Sequence, residues 1–257
     1  MLPNATIKDI LRMYRNDEVS EDEAANALEG LRIEVIDGMA RIDAGRSVRC
    51  GMPEVVLAEG KEPEAFAGIM LAQVKAAGRC IATRVSAEHL DALRARLPPE
   101  VRMEHREAAR AVVLSTGEGP VPRRGTVAIL TAGTSDIPVA EEARLIAEEM
   151  GCEVRTAYDV GVAGIHRLFS ALRDLIPADV FVVAAGREGT LPAIVAGLVD
   201  RPVIGVPVST GYGYMGGGEA ALASMLQACS VLAVVNIDAG FTAGAFAAQV
   251  AHGGNRE

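Results

Sequence analysis

Tryptophan is absent from this 257-residue sequence, and aromatic residues make up only 4% of it. Because half of the residues are nonetheless hydrophobic, the core must consist of aliphatic and alanine side chains, as in a globular rather than a disordered protein. Long basic runs are also absent, and 34 acidic residues outnumber 25 basic ones, giving a formal net charge of −9. This balance disfavours general nucleic-acid binding.

No uninterrupted hydrophobic run approaches the roughly 20 residues that span a bilayer, and the most apolar stretch, Val231–Ile237, is only as long as a strand. The first residues lack the basic and apolar segments of a secretory signal peptide. The four cysteines lie far apart with no Cys-x-x-Cys pair, which argues against a zinc site or a secreted disulfide scaffold. We therefore expect a cytoplasmic protein with reduced thiols and no membrane segment.

A Gly- and Pro-rich segment, Thr116–Gly125, interrupts the hydrophobic pattern and predicts a linker. It separates an N-terminal domain over residues 1–118 from a C-terminal domain over residues 125–257. In the first domain, Ser20 and Glu23 have the spacing of a helical capping box, and Thr6 is a candidate cap of the preceding helix.

The N-terminal domain is predicted to be a small mixed α/β unit, with helices that begin near Pro63 and Ser86. Its predicted strands are Val55–Ala58, Cys80–Val85 and Ala111–Leu114.

The C-terminal domain alternates regularly between short apolar runs and helical segments, which predicts a doubly wound parallel sheet with helices on both faces. Ligands then belong at the carboxyl ends of its strands. The predicted strands are Thr126–Thr131, Glu153–Ala157, Val180–Ala185, Pro202–Val206 and Leu232–Asn236.

Loops rich in small and polar residues follow these strands. The first loop contains Ser135 and Asp136 and precedes a helix, whose N-terminal N–H groups and dipole attract an anion. Taken alone, however, these two residues are better explained as helix caps. The second places His166 and Arg167 at a helix start, where a histidine is more often structural. In the third, Glu188 lies between two glycines and is equally well explained as a base or metal ligand and as a partner of a helix dipole.

The fourth loop, 207–218, is the longest and contains five glycines. It suits a lid or a phosphate cradle, yet it matches neither the Walker A motif nor the Gly-x-Gly-x-x-Gly fingerprint. The fifth offers Asp238 at the end of the last strand. Before that strand lies Cys229, which composition alone would assign to the core as a small residue.

The segments 184–198 and 202–207 resemble the phosphoribosylaminoimidazole (AIR) carboxylases, and this resemblance implies their fold. Ser135, Asp136, His166 and Arg167 fall where that family carries its substrate-phosphate and acid/base residues. That family has a histidine where Thr190 stands and no counterpart to Glu188.

A resemblance to the LarB family covers nearly the whole chain. It is based on segments 49–63, 211–213, 225–229 and 234–241. It implies carboxylation of the pyridinium ring of nicotinic acid adenine dinucleotide and hydrolysis of its phosphoanhydride, which releases AMP and pyridinium-3,5-biscarboxylic acid mononucleotide, the precursor of the nickel-pincer nucleotide. It also implies carbon dioxide or bicarbonate as co-substrate, a cysteine nucleophile at Cys229 and an octameric homo-oligomer.

From this resemblance and the loops we expect no tightly bound cofactor, with a divalent cation such as Mg²⁺ as a candidate. Glu188 and Asp238 are the candidate bases and metal ligands beside Cys229, and His166 is a further catalytic candidate. The expected substrate-binding residues are Gly133, Thr134, Ser135, Asp136, Arg167, Gly186, Gly189, Ser209, Gly211, Tyr212 and Gly213, with Arg49 and Lys61 from the N-terminal domain.

Two alternatives stay open. One is an AIR-carboxylase-like enzyme acting on an aminoimidazole ribonucleotide, which needs no cysteine. The other is a non-catalytic nucleotide-binding module, because a fold alone does not establish chemistry.

Overall fold

The computed structural model describes residues 7–31, 33–36, 40–43, 45–46, 49, 51–117 and 125–253. The chain divides into two compact units, one comprising Met1–Arg106 and Arg110–Gly119, the other Glu107–Ala109 and Pro120–Glu257. Thr6 and residues 118–124 of the predicted linker lie outside the described residues.

The N-terminal unit begins with two helices that contact each other, α1 (Ile7–Arg15) and α2 (Glu21–Glu29). The predicted capping box at the start of α2 is confirmed. The Glu23 amide donates to Ser20 Oγ, and the Ser20 amide donates to the Glu23 carboxylate at 2.8 Å. Two short strands follow, β1 (Glu34–Ile36) and β2 (Ala40–Ile42), which pair antiparallel.

A mixed four-stranded sheet forms the rest of this unit, in the order β3-β4-β6-β5. Apolar side chains of helices α3 and α4, such as Phe66 and Leu93, pack with strand residues such as Leu114 into one core. The sequence pattern misses β5 because its side chains are mostly charged, and as an edge strand only Met103 faces that core. The elements are β3 (Val55–Leu57), α3 (Pro63–Ala77), β4 (Arg79–Thr83), α4 (Ala87–Arg96), β5 (Arg102–Arg106) and β6 (Ala111–Ser115).

The C-terminal unit contains a five-stranded parallel sheet in the order β8-β7-β9-β10-β11, which confirms the doubly wound prediction. The first three predicted strands have the observed bounds. The last strand is shorter than predicted, since only Ala233 and Val234 pair with β10. The strands are β7 (Thr126–Thr131), β8 (Glu153–Ala157), β9 (Val180–Ala185), β10 (Val203–Pro207) and β11 (Ala233–Val234).

Helices cover both faces of this sheet. Leu130 and Phe181 point to the face that carries α6, α7 and α8, while α5 and α9 contact each other and strands β7 and β9. No helix in the described part of the chain is long and apolar enough to cross a membrane. The helices are α5 (Ile137–Glu149), α6 (His166–Leu175), α7 (Leu191–Ala196), α8 (Glu219–Leu226) and α9 (Gly240–Gly253).

The order of the strands locates the binding crevice. The chain moves from β7 outward to β8, then returns to the other side of β7 to form β9. Such a reversal leaves a crevice between the carboxyl ends of the two strands, where doubly wound proteins bind ligands.

The contact between α5 and α9 depends on glycine. A Cβ atom at Gly240 would lie 2.3 Å from the Val139 carbonyl oxygen, and one at Gly244 would lie 2.3 Å from the Ala143 carbonyl oxygen. Real Cβ atoms do not approach backbone oxygens so closely, so a side chain at either position would push the helices apart.

We expect Gly244→Ala to lower the free energy of unfolding by about 2 kcal/mol, because the added methyl group overpacks the α5–α9 contact. This loss would exceed the gain of about 1 kcal/mol that alanine otherwise brings to a helix. Urea denaturation measures it. Gly253→Ala, in the same helix but with open space around the new Cβ, is the matched control, and equal stabilities of the two variants would contradict the prediction.

Candidate active site

A cavity of about 430 Å³ opens at the crevice between β7 and β9. Its volume falls in the range of small-molecule sites. The loops that follow β7, β8, β9 and β10 all contribute to its walls, and the charged residues among them are Asp136, Asp159, Arg167, Arg187 and Glu188.

Asp136 joins three of these loops through its buried carboxylate. The group accepts hydrogen bonds from the Gly133 amide at 2.8 Å, from Thr210 Oγ1 at 3.3 Å and from the Gly186 amide. Its side chain makes no capping bond to α5 itself, and its bond from the Gly133 amide closes the 3-10 turn Thr134–Asp136 that leads into this helix. The carboxylate also fixes the positions of the loops after β7, β9 and β10.

The surroundings of Asp136 destabilise the ionised form of its carboxyl group. The side chain is only 3% exposed, and this burial raises its carboxyl pKa, with a further increase from the nearby Glu188 carboxylate; the hydrogen bonds oppose both effects. A raised carboxyl pKa in a cleft is typical of groups that transfer protons. Asp136 therefore has the properties of an acid or base in addition to the binding role expected from the sequence.

Close backbone approaches explain the glycines around Asp136. A Cβ at Gly186 would lie 2.5 Å from Thr210 Oγ1, and one at Gly211 would lie 2.6 Å from the Gly186 carbonyl oxygen. Gly189 has a φ of +67° and packs against the backbone of Ala221. Of the expected binding glycines, Gly133 and Gly189 line the cavity.

Arg167 lines the cavity and is paired with Asp159, whose amide donates to Thr131 Oγ1 at 3.0 Å. The neighbouring His166 is exposed and lies outside the lining. The pairing neutralises much of the Arg167 charge, so this guanidinium alone is a weak attraction for an anion.

Arg187 is a cavity residue that the sequence interpretation missed. Its guanidinium carbon lies 4.2 Å from the centroid of the Tyr212 ring, and both residues line the cavity beside Glu188. The available signal was its place in a Gly-Arg-Glu-Gly segment at the end of a central strand. Ser135 also lines the cavity, whereas Thr134, Ser209 and Gly213 do not.

Asp238 lies at the same edge of the sheet but outside the cavity lining, and its carboxylate accepts from the Ser209 amide at 2.9 Å. Among the described residues, no group of three or more His, Cys, Asp or Glu side chains could hold a metal ion. Glu188 and Asp238 are therefore not part of such a group among the described residues of one chain, and metal binding by either residue stays a prediction.

Cys229 is exposed and is not among the residues that line the cavity. It precedes β11, whose Ala233 pairs with Ile204 near the start of β10, whereas the cavity lies beyond the strand ends. Ser230 approaches Gly197, which follows α7 and also precedes β10. The fold therefore does not bring Cys229 to the cavity of its own chain.

Arg49 and Lys61 belong to the N-terminal unit. Arg49 donates to the Gly30 carbonyl oxygen at 2.7 Å and pairs with Asp43. Lys61 Nζ donates to the Leu57 carbonyl oxygen at 2.6 Å. Both contacts stabilise the local chain, and substrate binding by either residue stays a prediction.

The raised pKa of Asp136 predicts a pH effect on stability. Protonation favours the folded state here, so this contribution is present below the ordinary carboxyl pKa and is lost as pH rises through the raised value. Asparagine does not ionise. We therefore expect the stability advantage of the wild type over Asp136→Asn, measured by urea denaturation, to be larger at about pH 3.5 than at about pH 7.5. The exposed Asp200→Asn is the control, and a constant difference for Asp136→Asn would contradict the assignment.

Comparison with known proteins agrees with this architecture. Residues 33–116 match the LarB/PurE-like N-terminal domain, and residues 126–257 match the AIR carboxylase family. An uncharacterized protein of Methanocaldococcus jannaschii is 42% identical over 256 residues, covering 95% of this chain and 96% of the relative.

Other relatives align with the C-terminal half. The N5-carboxyaminoimidazole ribonucleotide mutase of Methanocaldococcus jannaschii is 34% identical over 128 residues, which cover 48% of this chain and 77% of that protein. A probable mutase of the same type from Methanothermobacter thermautotrophicus is 34% identical over 131 residues, covering 48% of this chain and 37% of that protein. The AIR carboxylase domain supports an activity of the carboxylase or mutase type. Because the LarB/PurE-like domain precedes this domain in the same chain, the chain belongs to the LarB family.

Proposed function

We propose that this protein carboxylates the pyridinium ring of nicotinic acid adenine dinucleotide and hydrolyses its phosphoanhydride, yielding AMP and pyridinium-3,5-biscarboxylic acid mononucleotide. The observation that supports the proposal is the presence of a LarB/PurE-like N-terminal domain and an AIR carboxylase domain in one chain. The two mutase relatives described above, in contrast, align with only 48% of it.

The ring chemistry requires a nucleophile. A pyridinium ring is electron-poor and does not attack carbon dioxide, but addition of a thiolate to the ring carbon next to the reacting position breaks the aromaticity and leaves an enamine-like carbon. That carbon forms a bond to carbon dioxide. Loss of its proton and expulsion of the thiolate then restore the aromatic ring. The carbon–hydrogen bond is replaced by a carboxylate, one proton is released and the thiolate is regenerated.

The released proton needs an acceptor in the cavity. Burial raises the carboxyl pKa of Asp136, and the Glu188 carboxylate raises it further, so Asp136 is a stronger base than an exposed aspartate. We assign the proton transfer to this pair. Asp238, which lies outside the cavity lining, is left with a supporting role in holding the loop after β10 through Ser209.

The position of Cys229 places a condition on this mechanism. Because the fold separates Cys229 from the cavity of its own chain, a thiolate acting there must come from another copy. Cys229 is exposed, and the nearby side chains of Leu226 and Val231 are 66% and 94% exposed. Exposed apolar side chains of this kind favour burial against a neighbouring molecule. We propose a homo-oligomer in which one copy supplies the cavity and another supplies Cys229.

The phosphoanhydride step adds water across the bond between the two phosphates, which gives one AMP and one mononucleotide. A divalent cation for this step would be held chiefly by the substrate's phosphates, as Mg²⁺ commonly is.

The activity is tested by mass spectrometry after incubation of the purified protein with nicotinic acid adenine dinucleotide, ¹³C-bicarbonate and Mg²⁺. We expect AMP and a mononucleotide that carries one additional labelled carboxyl group. Asp136→Asn should lower the rate of carboxylation by about 100-fold or more, because general acid–base catalysis typically contributes that much. Asp200→Asn should keep the wild-type rate.

The mutase relatives supply the competing candidate. In parallel, the protein is incubated with N5-carboxyaminoimidazole ribonucleotide, the compound after which those relatives are named. An unchanged dinucleotide together with rearrangement of this ribonucleotide would replace our proposal by a mutase activity. Binding of the dinucleotide with no conversion of either compound would indicate a nucleotide-binding module.

The shared site is tested by mixing two inactive variants. Cys229→Ser keeps the cavity, and Asp136→Asn keeps the thiol. When the two chains are co-expressed with different tags and mixed oligomers are isolated, random pairing should restore roughly a quarter of the sites. Mixed oligomers that remain as inactive as the two parents would refute a site built from two copies, and full activity of Cys229→Ser alone would refute the covalent step.

A further inference from the structure

The two arginines that line the cavity differ in their partners. Arg167 is paired with the Asp159 carboxylate, whereas Arg187 forms no ion pair with any residue that the structure describes. Its contact is the Tyr212 ring, with 4.2 Å between the guanidinium carbon and the ring centroid. The positive charge of Arg187 is therefore not neutralised by a carboxylate of the described chain.

When a guanidinium contacts an aromatic ring through its face, the N–H groups at its edge stay available to donate hydrogen bonds. The N–H groups at that edge form the fork that matches the two oxygens of a phosphate or a carboxylate. An aromatic face also attracts the cation. The contact with the Tyr212 ring thus holds the Arg187 guanidinium at the cavity without using its hydrogen-bond donors.

The loop that carries Tyr212 is closed on itself. The Gly217 amide donates to the Gly211 carbonyl oxygen at 2.9 Å, and the Gly216 amide donates to the Gly213 carbonyl oxygen at 3.1 Å. Gly211 in turn packs against the backbone of Gly186, next to Arg187. These contacts hold Tyr212 beside Arg187, although the Tyr212 side chain is 78% exposed and contributes little to the core.

The charges of the cavity walls indicate a role for Arg187 in binding an anion. The cavity walls carry the carboxylates of Asp136, Asp159 and Glu188, and the whole chain has a formal net charge of −9. An anionic ligand is repelled by such walls unless a local cation offsets them. With Arg167 paired to Asp159, Arg187 is the cavity cation left to do so.

We propose that Arg187 binds an anionic group of the ligand and determines specificity for it, and that Tyr212 is the positioning residue that aims the guanidinium. The group is an oxyanion with two coplanar acceptors, either a phosphate of the nucleotide or the carboxylate of the nicotinate ring. The choice of ligand rests on the proposed function, but binding of the nucleotide does not require turnover.

Equilibrium binding to the full chain tests this, with calorimetric titration of AMP, nicotinic acid adenine dinucleotide and NAD⁺, whose ring carries a neutral amide. Arg187→Gln should weaken binding of nicotinic acid adenine dinucleotide by about 10- to 100-fold, as expected for loss of a charge-assisted hydrogen bond. Arg187→Lys should restore only part of the affinity because lysine lacks the planar fork.

The affinities for the three ligands distinguish the two groups that Arg187 could bind, a phosphate and the ring carboxylate. Weaker binding of all three would assign Arg187 to a phosphate. Weaker binding of the acid dinucleotide, with AMP and NAD⁺ unaffected, would assign it to the ring carboxylate. Unchanged binding of every ligand would overturn the proposal. Because no product is measured, a protein that binds without turning over would refute the proposed reaction and leave the assignment of Arg187 intact.

Tyr212 is tested with matched variants of the same loop. Tyr212→Phe keeps the aromatic face and should keep the affinity, whereas Tyr212→Ala should weaken binding in the same ligand pattern as Arg187→Gln. Tyr214→Ala removes a tyrosine that is 94% exposed and outside the cavity lining, so its binding should equal that of the wild type. Equal effects of Tyr212→Ala and Tyr214→Ala would show that Tyr212 does not position Arg187.

Discussion

The hydrogen bonds of one buried carboxylate hold the cavity of the C-terminal unit together. Asp136 accepts from an amide of its own loop, from the Gly186 amide after β9 and from the Thr210 hydroxyl after β10. Three loops that are distant in the sequence thereby acquire one common anchor. The same burial that holds this carboxylate in place also raises the pKa of its carboxyl group, so the side chain that joins the loops is also the one to which we assign proton transfer.

The packing beneath this anchor depends on small residues. With few aromatic side chains available, the core of the C-terminal unit brings helix backbones close together, as Gly240 and Gly244 do against α5. Helix α5 starts immediately after Asp136, so a shift of that helix would also shift the Asp136 carboxylate. A well-packed interior transmits such constraints because it leaves little room for adjustment. The Ala- and Gly-rich composition is therefore connected directly to the geometry of the cavity.

The cavity lies beyond the carboxyl ends of the strands of the parallel sheet, whereas Cys229 lies in the segment that precedes β11. The cavity supplies the carboxylates of Asp136 and Glu188 and the cation of Arg187, while Cys229 lies beyond the starts of the strands among exposed apolar side chains. The proposed reaction uses all of these groups and would therefore need two copies of the chain. In that proposed arrangement, assembly of the oligomer would also assemble the reactive site.

The sequence by itself determined the alternation of strands and helices, because apolar runs of strand length and helical periodicity depend only on local order along the chain. It failed for β5, whose charged side chains carry no strand signal at a sheet edge, and it overestimated β11, which has one partner strand. The loop-by-loop interpretation brought Asp136, Glu188 and Arg167 to one crevice because the carboxyl ends of parallel strands share an edge. Only the tertiary structure decided that the Asp136 carboxylate joins three loops, that the Arg187 guanidinium lies over the Tyr212 ring, and that Cys229 is exposed and outside the cavity lining. Each of these depends on distances between residues far apart in the chain, which sheet order and packing set and local sequence does not.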